Sequence, residues 1–214
     1  MRAARPAICA HRGASRRHPE NTIAAFAAAV AMGADMIETD VRRTAGGTLV
    51  LAHDPLGPRP PRGVVELAEL VKLAAGRIAL DVELKEAGYE SQVLAALDPR
   101  PATLVVTSFI PEAVAAVRAL DPEIETGLIF RPGDRRDLVG RAGECGARMV
   151  VAHSSSVRPE LAAEVHRAGR PLMVWTVNDR RRLAAVMAMP GVTHVVTDVP
   201  DVALAIRHTC GDSP

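Results

Sequence analysis

The sequence predicts a single (β/α)8 barrel. Short apolar, β-branched runs recur along the whole chain, Ala-rich segments of helical spacing lie between most of them, and charged residues close one run after another. Continuous apolar strands alternating with helices specify a parallel sheet covered on its outer face. The chain has 214 residues, which suits one domain over residues 1–214. That is on the short side of the roughly 250 residues usual for such a barrel.

The runs are Ala7–Ala10, Met36–Val41, Thr48–Ala52, Ile78–Leu84, Leu104–Thr107, Thr126–Phe130, Met149–Ala152, Leu172–Val177 and His194–Thr197. Helical spacing is clearest in Thr22–Met32, Val64–Ala74, Glu112–Leu120, Glu160–Ala168 and Arg180–Met189. Nine runs are one too many for eight strands. Val41 and Thr48 are too close in the chain for a right-handed crossover helix, but Gly46-Gly47 suits a two-residue hairpin turn. The second and third runs therefore form an antiparallel hairpin on one barrel strand. An open doubly wound sheet is the alternative, but no Gly-rich phosphate loop follows the first strand. Asp54–Gly63, rich in Pro, Gly and Arg, reads as a surface loop.

Composition excludes several functions. The formal net charge is +1, so no long-range field draws nucleic acid or anionic lipid. Aromatics make up 2% of the chain, too few for base-stacking platforms, and the core must be filled by Ala, Val, Leu and Ile. No apolar stretch approaches the roughly 18 residues of a membrane span. Met1–Ala10 is too short and polar for a signal peptide, and Cys9, Cys145 and Cys210 show neither metal spacing nor a disulfide framework. A cytoplasmic protein is expected, without stable membrane insertion and without nucleic acid as a partner. Oligomeric state is left unassigned.

Barrels of this type place their sites at the C-terminal ends of the strands. Those ends carry His11-Arg12-Gly13, Glu38 with Asp40, Glu83 with Lys85, Trp175 with Asn178, and Asp198. Residues two apart in a strand face the same side, so Glu38 pairs with Asp40 and Glu83 with Lys85. Three carboxylates converging on a low-dielectric mouth repel one another and take up protons. A hard divalent cation, Mg²⁺ or Ca²⁺, removes that problem, and the lack of converging Cys argues against zinc. Salt bridges at a polar rim are the plain alternative. With Gly46-Gly47 as the turn, counting back along the hairpin sets Asp40 opposite His53, with Cβ atoms about 5 Å apart. His11 reaches the same mouth. Two imidazoles beside a phosphodiester form a plausible base and acid pair, and Arg12 and Lys85 would neutralise phosphate oxygens.

Several ionisable residues have ordinary readings. His18, His166 and His208 are expected at the surface and His194 at the far end of the barrel. His153 ends a strand at the mouth. Asp81 shares the parity of Glu83 about 6.6 Å deeper, where a buried charge needs partners, so an internal polar network is expected there. Asp134–Asp137 and Asp179–Arg182 read as solvated helix starts.

Taken in order, His11-Arg12-Gly13, Pro19-Glu20-Asn21-Thr22, Glu38-Thr39-Asp40-Val41, His53-Asp54 and Glu83-Leu84-Lys85 resemble the glycerophosphodiester phosphodiesterases. Ser108-Phe109, Val174-Trp175-Thr176-Val177-Asn178 and Thr197-Asp198-Val199-Pro200 resemble that family's later signatures. The resemblance implies Glu38, Asp40 and Glu83 as metal ligands, and His11 and His53 as general base and general acid. It implies that Arg12 and Lys85 hold the phosphate, that Trp175 lines the substrate side, and that Glu20 and Asn21 bond substrate or neighbouring site residues. It also implies cleavage of a small-molecule phosphodiester to glycerol 3-phosphate and an alcohol. Only 29 residues separate His53 from Glu83. The family's usual capping insertion is therefore reduced, with Arg59 or Arg62 as the residues that could reach an anion. A lysophospholipase D activity and a non-catalytic phosphate-binding barrel are the other functions weighed.

Overall fold

The computed structural model describes residues 5–57, 62–101 and 103–209. The first half of the chain forms β1 (Ala7–His11), α1 (Ile23–Met32), β2 (Met36–Arg43), β3 (Leu49–Leu51), α2 (Leu67–Ala74), β4 (Ala79–Leu84), α3 (Glu90–Ala96) and β5 (Leu104–Ser108). The second half forms α4 (Pro111–Leu120), β6 (Glu125–Phe130), α5 (Leu138–Glu144), β7 (Met149–His153), α6 (Pro159–Arg167), β8 (Leu172–Trp175), α7 (Arg180–Met187), β9 (Val192–Thr197) and α8 (Pro200–Thr209). The sheet runs β1-β9-β8-β7-β6-β5-β4-β2-β3, and β1 also pairs with β2. Eight parallel strands thus close into the expected (β/α)8 barrel, with β3 lying antiparallel on β2 outside it.

Local chemistry explains the helix boundaries. Thr22 caps α1 by accepting from the Ala25 amide, and Gly33 ends it in the left-handed conformation at φ 82°. Asp179 caps α7 through the Arg182 amide, and Pro111 and Pro159 open α4 and α6. Asp137, with φ 42°, caps α5 through the Gly140 amide. Both acidic helix starts expected from the sequence are therefore caps.

One expectation fails. Val41 lies opposite Leu51 and Arg42 opposite Val50, so Asp40 faces Ala52 and not His53. The loop has three residues, Ala45-Gly46-Gly47, rather than two. The Gly47 amide donates to the Thr44 carbonyl, the Thr48 amide donates to the Thr44 hydroxyl at 3.0 Å, and Gly47 takes φ 89°. A three-residue loop closed by a left-handed glycine is the next preferred hairpin after the two-residue turn. His194 lies within β9, level with Ala7 at the start of β1, and so takes its expected place at the far end of the barrel.

Parity determines what fills the barrel. Cys9, Met36, Val105, Ile129, Met149, Val151, Met173 and Val196 pack together as its inner layer. Gly127 stands among them because a Cβ there would meet Val151 Cγ2 at 2.7 Å and Thr107 Cγ2 at 3.0 Å. The opposite strand faces pack against the helices. Phe26 of α1 and Phe130 of β6 are the bulkiest fully buried side chains in that outer layer. No helix among the described residues is long and apolar enough to cross a membrane. Replacing Phe26 by Ala should lower unfolding free energy by about 3–5 kcal/mol. Urea denaturation followed by circular dichroism checks this, and a loss below about 1 kcal/mol would contradict the packing.

Candidate active site

The parity that fills the barrel also builds its mouth. On β2, Glu38 and Asp40 point inward. Register sets Glu38 beside His11 of β1 and Asp81 of β4, and it sets Asp40 beside Glu83. All four acids are buried, and one oxygen each from Glu38, Asp40 and Glu83 lies within 4.8 Å of the others. The three acids singled out from the sequence therefore come together. Asp81 lies one step deeper and accepts a hydrogen bond from the Thr107 hydroxyl at 2.8 Å.

Crowding shows in the ionisation of the acids. Burial, then Asp40, Glu83 and Asp81, push the Glu38 carboxyl well above the usual carboxylate range. Glu83 is pushed up to about 7 by burial and by Asp40, against the opposing effect of Lys85. Asp81 reaches about 7, chiefly by burial, with the Thr107 hydrogen bond opposing. Asp40 goes the other way. Burial would raise it, but Arg12, Lys85 and the Asn21 amide together hold it below its ordinary value. Asp40 is thus the fixed anion of the set.

The donors around these oxygens do not satisfy them. Lys85 Nζ lies 2.6 Å from Glu83 Oε1 and 3.2 Å from Asp40 Oδ1, yet neither oxygen receives an aligned hydrogen bond. Arg12 Nε lies 2.9 Å from Asp40 Oδ2, again without hydrogen-bond alignment. Converging carboxylates with buried, under-coordinated oxygens fit a hard divalent cation, which takes oxygen ligands from several directions.

Backbone strain aims the neighbouring groups. Arg12 and Asn21 both adopt left-handed φ, 55° and 54°. Such residues cost of order 1–3 kcal/mol each and persist where surrounding contacts impose them. The Arg12 amide donates to both the backbone and the side chain of Glu38, at 3.0 Å each, and the Asn21 amide donates to the Arg12 carbonyl. Asn21 Nδ2 donates to Asp40 at 3.0 Å, and its Oδ1 accepts from Thr39. Asn21 is buried behind Asp40 and does not line the main cavity, whereas Glu20 holds the Arg12 guanidinium at 2.9 Å.

The two histidines reach the mouth by different routes. His11 ends β1, and its Nδ1 lies 2.6 Å from Asp198 Oδ1, with Nε2 3.9 Å from Glu38. Asp198 is held in turn by Asn178 at 2.5 Å and Ser15 at 3.1 Å. His53 sits just past β3, where ladder register no longer dictates direction, and lines the cavity although the hairpin is offset. Arg42 donates Nε and Nη2 to the His53 carbonyl, at 3.1 and 2.8 Å, and braces itself on Glu86 at 2.5 Å. The His53 ring is half-exposed, and its Nδ1 lies 2.9 Å from Asp54.

A cavity of about 500 Å³ joins these groups, lined by His11, Arg12, Glu38, His53, Glu83, Lys85 and, on its far wall, Phe109 and Trp175. Trp175 packs edge-on to Phe109 at 5.5 Å and to His153 at 5.0 Å. Its buried indole N–H has no acceptor among the described residues. His153 stands behind Trp175 and outside the cavity lining. Arg62 borders a shallower neighbouring hollow, and Arg59 lies outside the described residues. Sequence reasoning left three contributors without a role: Asp198, Arg42 and Phe109. The signal for Asp198 was present, since closing the barrel sets β9 beside β1, with Ala10 level with Thr197. Arg42 shares the inward parity of Asp40, but its target is a carbonyl that no side-chain pattern reveals.

Buried acids below and cations around them define a (β/α)8 barrel with a charged pocket at the C-terminal ends of its strands. Sequence comparison narrows this class: the chain belongs to the glycerophosphoryl diester phosphodiesterase family, whose model matches residues 11–64 and 65–202. The Bacillus subtilis protein YhdW, to which glycerophosphodiester phosphodiesterase activity is provisionally ascribed, is 34% identical over 91% of this chain and 95% of its own length. A glycerophosphodiester phosphodiesterase of Caldanaerobacter subterraneus is 29% identical over 92% of this chain and 96% of its own. In fold, the chain matches an Oleispira antarctica phosphodiesterase solved with the product sn-glycerol-3-phosphate. The TM-score is 0.85 at 22% identity, covering 94% of this chain and 96% of that one.

Cation titration tests the acid cluster. Glu83, at about 7, and Glu38, raised above the usual carboxylate range, must lose protons to ligate, so Mn²⁺, Mg²⁺ or Ca²⁺ affinity should rise with pH and binding should release protons. Calorimetry in two buffers of different ionisation enthalpy reads both effects. Glu83→Gln should weaken binding at least tenfold. An unchanged titration would remove Glu83 from the ligand set.

Proposed function

We propose that this protein hydrolyses glycerophosphodiesters to glycerol 3-phosphate and an alcohol, with one divalent cation, Mg²⁺ or Ca²⁺, held by Glu38, Asp40 and Glu83. The observation that carries this reading is a cavity lined by Glu38, Glu83, His11 and His53, with the buried Asp40 within 4.8 Å of both glutamates. Family membership supports the substrate class, as does the product named for the Oleispira antarctica phosphodiesterase. When bound, the cation would offset charge on the phosphate oxygens and draw the ester toward the carboxylates.

The protein's own groups would carry the proton transfers. Asp198 beside His11 Nδ1 favours the tautomer with the proton on that nitrogen, which leaves the Nε2 lone pair facing the cavity. His11 is then the base that takes the proton of the attacking hydroxyl, from water or from a glyceryl hydroxyl. His53 at the open edge is the acid that protonates the departing alcohol oxygen as the P–O bond breaks. In the sum of steps, water supplies a hydroxyl to phosphorus and a proton to the alcohol. Arg12 and Lys85 line the cavity and would hold the phosphate oxygens. Trp175 would border the substrate, its unpaired N–H relieved of about 1–3 kcal/mol by a substrate oxygen.

Lysophospholipids fit this surface less well. Among the described residues Leu120 is the one large apolar side chain that is exposed, at 53%. It ends α4 and so lies toward the closed face of the barrel.

Turnover of glycerophosphocholine, glycerophosphoethanolamine and lysophosphatidylcholine, with and without chelator, tests the reading. The glycerophosphodiesters should be cleaved, and chelator should abolish the reaction. Full activity in chelator would remove the cation from the mechanism. His11→Ala and His53→Ala should each reduce turnover about 10²-fold or more while leaving the fold intact. Wild-type rates in either variant would remove that histidine. Asp198→Ala should act through His11, lowering kcat and altering the pH profile of the rate. An unaltered profile would make Asp198 structural only.

A further inference from the structure

Four cationic side chains line the cavity: Arg12, Arg42, Lys85 and Arg131. Three of them are matched by acids. Arg12 meets Asp40 and Glu20, Arg42 meets Glu86, and Lys85 meets Asp40 and Glu83. Arg131 has neither a carboxylate partner nor a side-chain hydrogen bond among the described residues. Asp134, three residues on in the chain, is engaged by Arg141 at 2.7 Å. The position of Arg131 is set by the strand. It follows β6 with the inward parity of Gly127 and Ile129, and its guanidinium lies over the Phe109 ring, 5.3 Å from the centroid.

The aromatic groups of the far wall are already engaged. Lys85 Nζ also lies over Phe109, at 5.8 Å, while Phe109 and His153 both flank Trp175. A quaternary ammonium is recognised by open aromatic faces that compensate its charge. Here the Phe109 ring is occupied by the protein's own cations, and one of them has no carboxylate partner among the described residues. A choline would meet repulsion where an anion would meet attraction. The glyceryl end is common to all glycerophosphodiesters and uncharged, so a charge at Arg131 can discriminate only the alcohol.

We propose that Arg131 selects the leaving alcohol, favouring glycerophosphodiesters whose alcohol carries a second anionic group over those that carry a quaternary ammonium. This rests on the hydrolase reading above. The probes are bis(glycerophospho)glycerol, whose leaving alcohol bears a second phosphate, glycerophosphoglycerol, which is neutral there, and glycerophosphocholine. The wild type should show kcat/KM falling in that order. The gap between the first and last should be about tenfold or more, the scale of one charge-assisted hydrogen bond. Raised ionic strength should narrow it. Arg131→Gln should collapse the ratio, Arg131→Glu should invert it, and Arg131→Lys should keep most of it, mainly through KM. Equilibrium binding of the three compounds to the His53→Ala protein should follow the same order. A wild type without charge preference, or a ratio unmoved by Arg131→Gln and Arg131→Glu, overturns the assignment while the hydrolase reading stands. Equal losses on all three substrates would make Arg131 a holder of the common phosphate and overturn it too. No turnover of any probe would overturn both readings.

Discussion

Placing Glu38, Asp40 and Glu83 in one water-poor space is the constraint on which the rest of this mouth depends. Two unit charges about 4 Å apart interact by about 4 kcal/mol even at an effective dielectric of 20. Such a set persists only with compensation, and the surroundings supply it unevenly. Arg12 and Asn21 turn toward Asp40, Lys85 is shared between Asp40 and Glu83, and Asp40 is held below its ordinary value while Glu38 and Glu83 are pushed above theirs. The same demand explains the strained backbone at Arg12 and Asn21. Left-handed φ at those two positions brings a guanidinium and an amide to one carboxylate that ordinary strand geometry would not reach.

Much of this was legible in the sequence, for one reason. Alternation along a strand is a local property of the chain, so Glu38 with Asp40 and Glu83 with Lys85 could be placed on one side without knowing the fold. Barrel closure then turned local alternation into convergence, because β1, β2 and β4 are neighbours in register. The make-up of the barrel interior was less legible: composition pointed to Ala, Val, Leu and Ile, whereas the layer below His11, Glu38 and Asp198 includes Cys9, Met36, Met149 and Met173 beside Val and Ile.

What the sequence did not reveal depended on loops and on polar contacts to backbone. Gly46-Gly47 suggested a two-residue turn, but a Thr44 hydroxyl one step earlier stabilises a longer loop and shifts the hairpin by one. His53 reaches the cavity even so, because it lies beyond the last ladder pair of β3. Asn21 shows a choice the sequence left open. The family resemblance implied bonds to substrate or to neighbouring site residues, and its hydrogen bonds to Asp40 and Thr39 make it a brace behind the acids. Side-chain pattern indicates which groups are near a site, and only the folded backbone decides which of them face it.

Arg42 grips the main chain at residue 53 and leaves the imidazole alone. Its forked hold fixes the backbone there, while the half-exposed ring is oriented by Asp54 at 2.9 Å. A ring anchored through its own carbonyl keeps its place at the cavity edge without relying on the register of the hairpin.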